Sequence, residues 1–530
     1  MLGIANLENS ICWSPWALSL RMLASERDAA ATGPQPRIPN LKALFKHVEH
    51  EHFRGEGNTG ITCLITDSRR VVPGAVFFAI PGLRTDGNLH VEEAVDRGAV
   101  AVVSDRPVPK HFSAGYIQVK DVRVALAEAS RWFSRQPDEQ LDIIGITGTN
   151  GKTTVSSLTQ FLLTEAPGDT GLLGTVKYDL GRRTLPSYKT TPESVDIFAM
   201  LDQMVDAGCR RSVIEVSSHA IDQKRTQFLR VPVAAFLNLT QDHIDYHQSM
   251  EAYFETKLRL FTGEGQNRVE AAVLNMDDPW VKTVPARIPE GVRQITFGFS
   301  EGAVIRGSEL EMGPAGSHFR VTWPEGSGIV ETRELGVYNA SNVLAALALA
   351  YAMRTDIQPL LDKVKAFPGV PGRMEKIEEG QPFNVLVDYA HTDDALRNAL
   401  RMLRDVTPGK LHVVFGCGGN RDRGKRPLMT KAVLEMADFA WATTDNPRKE
   451  APAQIFEDMR EGVATDERLQ FVEDRRRAIS LALEAAAPGD CVLIAGKGHE
   501  TFQEFADTVI PFDDRSVARD LLKLKQFRRP

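Results

Sequence analysis

The residues best suited to chemistry form a short glycine-bearing segment, Gly148 to Thr154, directly after an apolar, β-branched run. Glycines let backbone N–H groups approach phosphate oxygens, and a helix that starts there points its positive end at them. Lys152 would reach the β- and γ-phosphates, and the Thr153 hydroxyl would hold Mg²⁺. The usual pattern places a glycine at position 146, where this chain has Ile. The shorter G-x-x-G-K-T could arise by chance, but the strand before it and the helix after it favour a nucleotide site.

Two further strand ends carry groups suited to a metal. Glu215 ends an apolar run, and His243 follows another. Because ligands of open parallel sheets bind at the carboxyl ends of strands, Glu215 is a candidate Mg²⁺ ligand, with a helix-capping carboxylate as the alternative. A single imidazole at His243 fits the same site. His247 stands four residues later, but no H-E-x-x-H pattern is present, so a zinc protease is not indicated.

Lys257 lies in an amphipathic pattern that places Phe254, Leu258 and Phe261 on the apolar side of a helix. The pattern alone favours a surface lysine whose stem covers apolar neighbours while the ammonium stays in water.

The composition limits the class of protein. With 530 residues the chain is too long for one core, and its 42% hydrophobic and 25% charged residues are typical of a globular protein. A net charge of −7 argues against nucleic-acid binding by bulk charge. The five cysteines form no C-x-x-C pair, which fits a reducing cytoplasm. No apolar run approaches the ~20 residues that span a bilayer.

The order of apolar runs and turns predicts an α/β protein of three domains. Residues 41–139 read as a small N-terminal α/β domain, 140–370 as a central domain with a P-loop on a parallel sheet, and 371–530 as a Rossmann-like domain. In residues 371–530, polar groups repeatedly follow apolar runs, as in doubly wound folds. Residues 1–40 read as a dispensable extension.

A dinucleotide site is disfavoured in the third domain. Gly416 and Gly418 begin a G-x-G fingerprint, but the position of the third glycine is Arg421, so a dehydrogenase is not indicated.

Taken together, the ordered motifs resemble the Mur ligase family, ATP-dependent amide-forming enzymes of peptidoglycan synthesis. The resemblance covers roughly residues 41 to 530. Its marks are Asp67 to Arg69, Thr147 to Thr154, Thr190 to Pro192, Glu215 to Arg225, Asn238 to His247, Lys257, Asp388 to His391, Gly416 to Pro427, Asp445 to Arg448 and Gly496 to Glu500.

The resemblance implies roles for particular residues. It implies ATP contacts at Gly148, Thr149, Asn150, Gly151, Lys152, Thr153, Thr154, Asn339, Asn342, Arg373 and Asp388. It implies Mg²⁺ ligands at Thr153, Glu215, His243 and Lys257, the last as an N-carboxylated (carbamate) lysine, and these join Lys152 in catalysis. It implies that a UDP-muramoyl dipeptide is held by Ser68, Leu83, Arg84, Thr85, Thr190, Thr191, Ser217, Gln223 and Arg225.

The resemblance also implies how the incoming amino acid is chosen. The segment Asp445-Asn446-Pro447-Arg448 resembles the motif of diaminopimelate-adding members, whereas lysine-adding members lack the arginine. A guanidinium can clamp the distal carboxylate of diaminopimelate with two parallel hydrogen bonds, and lysine has no such carboxylate. The implied contacts are Arg421, Asp445, Asn446, Pro447, Arg448, Gly496 and Glu500, with Glu500 taking an ammonium.

Three residues depart from the family pattern: Gln241 stands where Arg is commoner, Asn420 where Asp is commoner and Asp393 where Pro is usual. The expected protein is a cytoplasmic monomer acting on small molecules, with ATP as co-substrate and no nucleic-acid partner. A lysine-adding relative is the first alternative, and Arg448 speaks against it. A folylpolyglutamate synthase shares the phosphate loop, but the muramoyl-type motifs speak against that alternative.

Overall fold

The structure is a computed structural model that describes residues 40–82, 85–265, 267–313, 316–461, 463 and 466–525. Its contacts divide the chain into two compact units. One comprises residues up to Gln136 with Glu193–Ala199 and Gln223–Phe228, and the other comprises the remaining residues. The domain limits at 139/140 and 370/371 stay predictions, and the extension 1–40 lies, except for Asn40, outside the described residues. Within the described ranges, no helix has the length and apolar character needed to cross a membrane.

The first unit contains a largely parallel sheet. Its strands and helices are β1 (His52–Arg54), β2 (Cys63–Ile65), β3 (Ala75–Phe78), β4 (Ala101–Ser104), β5 (Gly115–Gln118), α1 (Leu41–Phe45), α2 (Val91–Asp96) and α3 (Val122–Phe133). The strand order is β1-β5-β4-β3-β2, and only the β1–β5 pair of this sheet is antiparallel within the described residues. Strands β3 and β4 are buried along their whole length, as expected of parallel strands covered on both faces.

The second unit begins with a large sheet that carries the phosphate loop. Its strands are β6 (Asp142–Thr147), β7 (Thr170–Leu173), β8 (Lys177–Asp179), β9 (Thr184–Pro186), β10 (Arg211–Glu215), β11 (Val233–Phe236), β12 (Ala271–Asn275), β13 (Arg293–Gly298), β14 (Ile305–Gly313), β15 (Gly316–Trp323) and β16 (Gly326–Thr332). The helices of this stretch are α4 (Lys152–Leu163), α5 (Ser194–Ala207), α6 (Ser218–Asp222), α7 (Ile244–His247), α8 (Met250–Thr262), α9 (Gly336–Ala352) and α10 (Leu360–Ala366). The residues of α5 up to Ala199 belong to the first unit.

The central sheet is mixed, which corrects the prediction of a parallel sheet. Its order is β16-β15-β14-β13-β12-β11-β6-β10-β7-β8-β9. The strands from β14 through β6 to β7 are parallel, whereas β15 and β16 on one edge and β8 and β9 on the other are antiparallel. Residues of β15 and β16 alternate between buried and exposed, so one face of this edge meets water. Such strands lack the continuous apolar run by which buried parallel strands are recognised.

The alanine-rich helix α9 begins at Gly336 and is buried over most of its length. Its side chains pack into one core with α4 and the central sheet. Its small side chains let α9 approach α4 closely, so that Asn342 near the start of α9 lies against Gly151 of the phosphate loop.

The third sheet confirms the Rossmann-like prediction. Its elements and the hairpin that follows are β17 (Glu375–Lys376), β18 (Asn384–Asp388), β19 (Leu411–Cys417), β20 (Phe439–Thr444), β21 (Leu469–Val472), β22 (Cys491–Ala495), β23 (Phe502–Phe505), β24 (Thr508–Pro511), α11 (Asp393–Val406), α12 (Lys425–Met436), α13 (Pro452–Arg460), α14 (Arg475–Ala485) and α15 (Asp514–Leu524). The order is β17-β18-β22-β19-β20-β21. The five strands β18, β22, β19, β20 and β21 are parallel to one another. Separate apolar cores cover its two faces.

A buried carboxylate in α13 makes the stability of this sheet sensitive to acid. Hydrogen bonds from Arg423 and Arg426 lower the pKa of Asp458 to about 2. Because the pKa in the folded protein is below that of the unfolded chain, the stabilisation is complete above about pH 4 and is lost as the pH falls towards 2. We expect Asp458→Asn to lower the free energy of unfolding by about 2 kcal/mol at pH 7, with the difference from wild type shrinking below pH 4.

Denaturant unfolding at several pH values measures this effect. The control is Glu457→Gln, which removes a carboxylate from the exposed Arg460–Glu457 pair on the same helix and is expected to change stability by less than about 0.5 kcal/mol. An equal loss in both variants would contradict the role of Asp458.

Candidate active site

The phosphate loop follows β6 and ends at the first residue of α4. Gly151 has φ 85°, a left-handed conformation that favours glycine. A Cβ built on Gly151 would lie 2.3 Å from Asn342 Oδ1, so the space also excludes a side chain. Helix α4 therefore begins directly at Lys152, and its free N–H groups face the loop.

Asn238, the second residue after β11, holds the loop in shape. Its Oδ1 accepts hydrogen bonds from the backbone N–H groups of Thr149 and Asn150, at 3.1 and 2.9 Å. Its Nδ2 donates to the Asn150 carbonyl at 3.1 Å. Sequence reasoning marked the segment that begins at Asn238 without assigning this residue a role. Its position just after a buried strand was the available signal.

Two lysines converge on one carbonyl oxygen of the loop. Lys152 Nζ donates to the carbonyls of Gly148 and Thr149, both at 2.9 Å, and Lys257 Nζ donates to the Gly148 carbonyl at 2.9 Å. Burial lowers the pKa of Lys152, against the raising effect of the Glu215 carboxylate. Burial and then the Lys152 charge bring the pKa of Lys257 well below its ordinary value.

Lys257 is not the surface lysine that its helix pattern favours, since only 1% of it is exposed. Helix α8 is amphipathic as predicted, with Phe254, Leu258 and Phe261 buried. The Lys257 ammonium lies 4.6 Å from the centre of the Tyr253 ring, and no carboxylate of a described residue is within ion-pair distance. The helix surface on which it lies is covered by the phosphate loop, a contact that periodicity does not reveal.

Glu215, at the end of β10, is brought against the start of α4. Its carboxylate accepts hydrogen bonds from the hydroxyls of Thr153 and Ser156, at 3.1 and 3.3 Å. It also accepts from the backbone N–H and the hydroxyl of Thr175, both at 2.9 Å. These partners, rather than the N-terminus of α6, occupy the carboxylate, so the structure does not support the capping alternative.

His243 lies just before α7 with φ 55°, and its ring centre is 4.7 Å from that of His219. Although 45% of the His243 side chain is exposed, partial desolvation lowers its pKa to about 4; the Asp242 charge opposes this shift, and the charges of His219, Lys152 and Lys257 add to it. The imidazole is therefore neutral at pH 7 and able to act as a metal ligand. Across the described residues, neither Thr153 nor Glu215 is its hydrogen-bond partner, and no group of at least three His, Cys, Asp or Glu side chains forms a metal cluster.

The predicted nucleotide contacts fall in two groups. Asn342 lies against Gly151, and its Nδ2 donates to Asn339 Oδ1 at 2.9 Å. Arg373 lies 4.6 Å above the ring of Tyr389, and its Nε is buried without a hydrogen-bond partner among the described residues. Burial raises the pKa of Asp388, although the charge of Arg373 opposes the rise.

The predicted muramoyl contacts are distributed over both units. In the first unit, Ser68 donates to Glu93 at 2.7 Å, Thr85 contacts His90 at 3.1 Å, and Arg225 contacts Gln223 at 2.6 Å. Leu83 and Arg84 lie outside the described residues.

The muramoyl contacts of the second unit gather at the end of β10. Thr191 donates to the Glu215 carbonyl at 2.7 Å and accepts a hydrogen bond from the Ser217 backbone at 3.0 Å. The hydroxyls of Thr190 and Thr175 lie 3.0 Å apart. Thr190, Thr191 and Ser217 therefore lie next to the residues that hold the Glu215 carboxylate.

The predicted amino-acid contacts meet at the carboxyl ends of β19, β20 and β22. Gly496 packs closely against Asp445, since a Cβ added to this glycine would lie 3.0 Å from Asp445 Oδ2. Gly419 packs against Pro447 so tightly that an added Cβ would lie 1.8 Å from the Pro447 carbonyl oxygen. Asn446 Nδ2 donates to Glu500 Oε2 at 2.9 Å. Arg421 is exposed and makes no side-chain hydrogen bond to a described residue.

Arg448 is fixed by two contacts and keeps free donors. Its Nε donates to Glu504 Oε2 and its Nη1 to the Gly419 carbonyl, both at 2.8 Å. Its Nη2 has no hydrogen-bond partner among the described residues, so the guanidinium can accept a further anion.

Sequence reasoning missed Lys497 and Glu504. Lys497 is fully buried, and its Nζ donates to Asn446 Oδ1 and Glu500 Oε2 at 3.0 and 2.9 Å. It stands inside the motif that was recognised, and only the flanking Gly496 and Glu500 received roles. Glu504 stands on β23, outside every motif.

The departures from the family pattern are accommodated locally. Asp393 is the first residue of α11, where a negative charge favours the helix. Asn420 has φ 52°, which asparagine tolerates, and its Oδ1 accepts from the Lys449 backbone at 3.0 Å. Gln241 is exposed.

Family models match three successive parts of the chain. The Mur ligase middle domain matches residues 146–350, the Mur ligase glutamate ligase domain matches 372–498, and the Mur ligase family catalytic domain matches 60–134. A relative from Solibacter usitatus, named UDP-N-acetylmuramoyl-L-alanyl-D-glutamate–2,6-diaminopimelate ligase, is 43% identical over 88% of this chain and 94% of its own. One from Geobacillus thermodenitrificans with the same name is 43% identical over 91% of this chain and 99% of its own.

Solved structures agree with this assignment. A structure of a UDP-N-acetylmuramoyl-L-alanyl-D-glutamate–2,6-diaminopimelate ligase has a TM-score of 0.65 and 33% identity, over 92% of this chain and 99% of its own. A folylpolyglutamate synthase from Mycobacterium tuberculosis shares the fold, with a TM-score of 0.57 and 17% identity over 77% of this chain and 96% of its own. The chain belongs to the Mur ligase family.

Proposed function

We propose that this chain is an ATP-dependent ligase that joins meso-2,6-diaminopimelate to the D-glutamate carboxylate of UDP-N-acetylmuramoyl-L-alanyl-D-glutamate, in cytoplasmic peptidoglycan precursor synthesis. The observation that carries the proposal is the position of Arg448. Its guanidinium is held by Glu504 and the Gly419 carbonyl and keeps free donors, in a chain that also carries an intact phosphate loop. Diaminopimelate offers the carboxylate that this guanidinium would bind, and lysine does not.

The first half of the reaction would activate the carboxylate. The γ-phosphoryl group of ATP passes to a carboxylate oxygen of D-glutamate and ADP leaves, giving an acyl phosphate. Lys152 and the N-terminal N–H groups of α4 would hold the transferring group and neutralise its charge. When phosphates bind, Lys152 would exchange its bonds to the Gly148 and Thr149 carbonyls for bonds to phosphate oxygens.

The second half would form the amide. The amine of diaminopimelate attacks the acyl carbon, inorganic phosphate leaves, and the amine releases a proton to solvent. Glu500 would bind an ammonium and Arg448 the distal carboxylate, which orients the attacking amine. Positioning of this kind accounts for most of the expected rate, because the acyl phosphate is already reactive.

The residues near the phosphate loop suit Mg²⁺. The Thr153 hydroxyl and the Glu215 carboxylate are in direct contact, and hydroxyl, carboxylate and phosphate oxygens are the ligands that this ion prefers. Thr153, Glu215, His243 and a carbamate on Lys257 are the proposed ligand set. When bound, Mg²⁺ would supply positive charge against the triphosphate.

Lys257 is proposed to carry the carbamate. A buried ammonium beside Lys152 forms no ion pair with a carboxylate of a described residue, whereas a carbamate places a negative charge there and relieves the repulsion. We expect ¹³C-enriched bicarbonate to give a carbamate carbonyl resonance in the full-length protein that is absent from Lys257→Gln. The control is Lys363→Gln, which changes a lysine of α10 whose Nζ donates to the Leu162 carbonyl at the far end of α4, and it should keep the signal. Identical spectra for wild type and Lys257→Gln would remove Lys257 from the proposed ligand set.

One assay tests the function. Phosphate release is measured with ATP, Mg²⁺ and the UDP-muramoyl dipeptide, adding meso-diaminopimelate, L-lysine or no amino acid. Diaminopimelate is expected to stimulate release strongly and lysine weakly. Equal release in the three mixtures would contradict the proposal, and a preference for lysine would favour the lysine-adding alternative.

We also propose that the protein works as a monomer. Sedimentation of the active protein tests this, and activity confined to a dimer would contradict it.

A further inference from the structure

The side chain that would select diaminopimelate is held by a residue outside every recognised motif. Glu504 on β23 accepts from Arg448 Nε at 2.8 Å. The same hairpin also fixes the backbone of Arg448, since the Arg448 N–H donates to the Glu504 carbonyl at 2.9 Å and the Ala506 N–H donates to the Arg448 carbonyl at 2.7 Å. These bonds form a parallel bridge between Arg448 and Phe505.

These contacts stabilise an uncommon backbone conformation. Arg448 has φ 53°, in the left-handed region that side chains other than glycine seldom adopt. A residue remains in that conformation only when its surroundings determine it. The hydrogen bonds from β23 supply this constraint, and they turn the side chain towards the loop at Gly419.

The contacts also decide which edge of the guanidinium is free. Glu504 occupies Nε and the Gly419 carbonyl takes one donor of Nη1. The remaining donors lie on Nη1 and Nη2, which form the end of the fork. A carboxylate can bind that end with two parallel hydrogen bonds, whereas the side that contains Nε is already taken.

We propose that Glu504 is a specificity-determining positioning residue, which holds Arg448 so that the Nη1–Nη2 edge faces the distal carboxylate of the incoming amino acid. The inference rests on the proposed function, because it assumes that Arg448 binds that carboxylate. Glu504 carries a carboxylate itself, so it could instead compete with the substrate for Arg448. The two roles predict opposite effects when Glu504 is removed.

The test uses the full-length chain and the phosphate-release assay. Glu504→Ala is expected to raise KM for diaminopimelate about 10-fold, and Glu504→Gln by a smaller factor, because the amide oxygen still accepts from Nε without its charge. KM for ATP is expected to stay unchanged, and the preference for diaminopimelate over lysine to fall by the same factor. A merely structural role for Glu504 would not change that preference.

Two further variants sharpen the test. Asp507→Asn removes a carboxylate from the exposed turn of the same hairpin and is expected to leave KM for diaminopimelate unchanged. In an Arg448→Ala background, Glu504→Ala is expected to add nothing, because the residue acts through Arg448. A further rise of KM in that background would contradict the proposed route.

The outcomes separate this inference from the function beneath it. A KM for diaminopimelate that stays constant or falls in Glu504→Ala overturns the inference alone, provided that wild type responds to diaminopimelate. An equal rise of KM for ATP also overturns the inference, because it indicates that the variant perturbs the structure beyond the diaminopimelate site. A wild-type protein that does not respond to diaminopimelate overturns the proposed function and the inference together.

Discussion

Replacing Lys152 by alanine is expected to lower kcat/KM for ATP by about 10³-fold. The reason is electrostatic: Lys152 is the loop lysine at the positive end of α4, and its ammonium lies within reach of the phosphate cradle. Its loss would leave charge on the transferring phosphoryl group without compensation in a half-buried site. Steady-state phosphate release at varied ATP concentrations measures the effect.

The chain offers a closely matched control for this prediction. Lys363 Nζ also donates to two backbone carbonyls, those of Leu162 and Thr164, both at 3.0 Å. These carbonyls lie at the opposite end of α4 from the phosphate loop. Lys363→Ala therefore removes comparable contacts from the same helix and is expected to leave kcat/KM within about 2-fold of wild type. A similar loss of activity in both variants would indicate that α4 is destabilised, and it would contradict the role assigned to Lys152.

Replacing Arg448 by alanine is expected to raise KM for diaminopimelate by about 10²-fold, with KM for ATP almost unchanged. The variant removes both hydrogen bonds of the proposed clamp and leaves the substrate carboxylate without a partner. It also leaves Glu504 without the guanidinium that balances its charge. Arg448→Lys keeps the charge but lacks the planar fork, so an intermediate effect is expected. Initial rates at varied diaminopimelate concentrations give the values.

Arg404→Ala provides the comparison. Arg404 lies in α11 and forms an ion pair with Asp438 at 2.7 Å, away from the carboxyl ends of β20 and β22. Its removal is expected to change neither KM. If Arg448→Ala raised both KM values equally, or if it left KM for diaminopimelate unchanged, the proposed basis of substrate choice would be wrong.

Some parts of the site and of the fold could be predicted from the sequence, and others could not. The phosphate loop was recognised in the sequence because its glycines and Lys152 are neighbours in the chain, whereas the positive φ of Gly151 and the helix start at Lys152 come from the structure. The third sheet was predicted because buried parallel strands are continuous apolar runs that end in polar groups. The antiparallel edge strands β15 and β16 were not predicted, since they are short of apolar residues on one face.

Lys257 shows where local patterns fail. Its helix and the apolar side of that helix follow from periodicity, but its burial depends on Gly148, which lies 109 residues earlier in the chain. Amphipathic spacing places a lysine relative to its own helix and carries no information about what covers it. The resemblance to a family pointed to the site, and the structure supplied the contacts.

The sequence by itself determined the class of the protein, the phosphate loop and the arginine at position 448, because each depends on residue types at short spacing. The tertiary structure alone decided that Asn238 shapes the loop, that Lys152 and Lys257 share one carbonyl oxygen, and that Glu504 orients Arg448. These contacts join strand ends to a helix, a loop and a hairpin that are far apart in the chain. The parallel order of the sheets brings such ends to one edge, and no local pattern records which of them become neighbours.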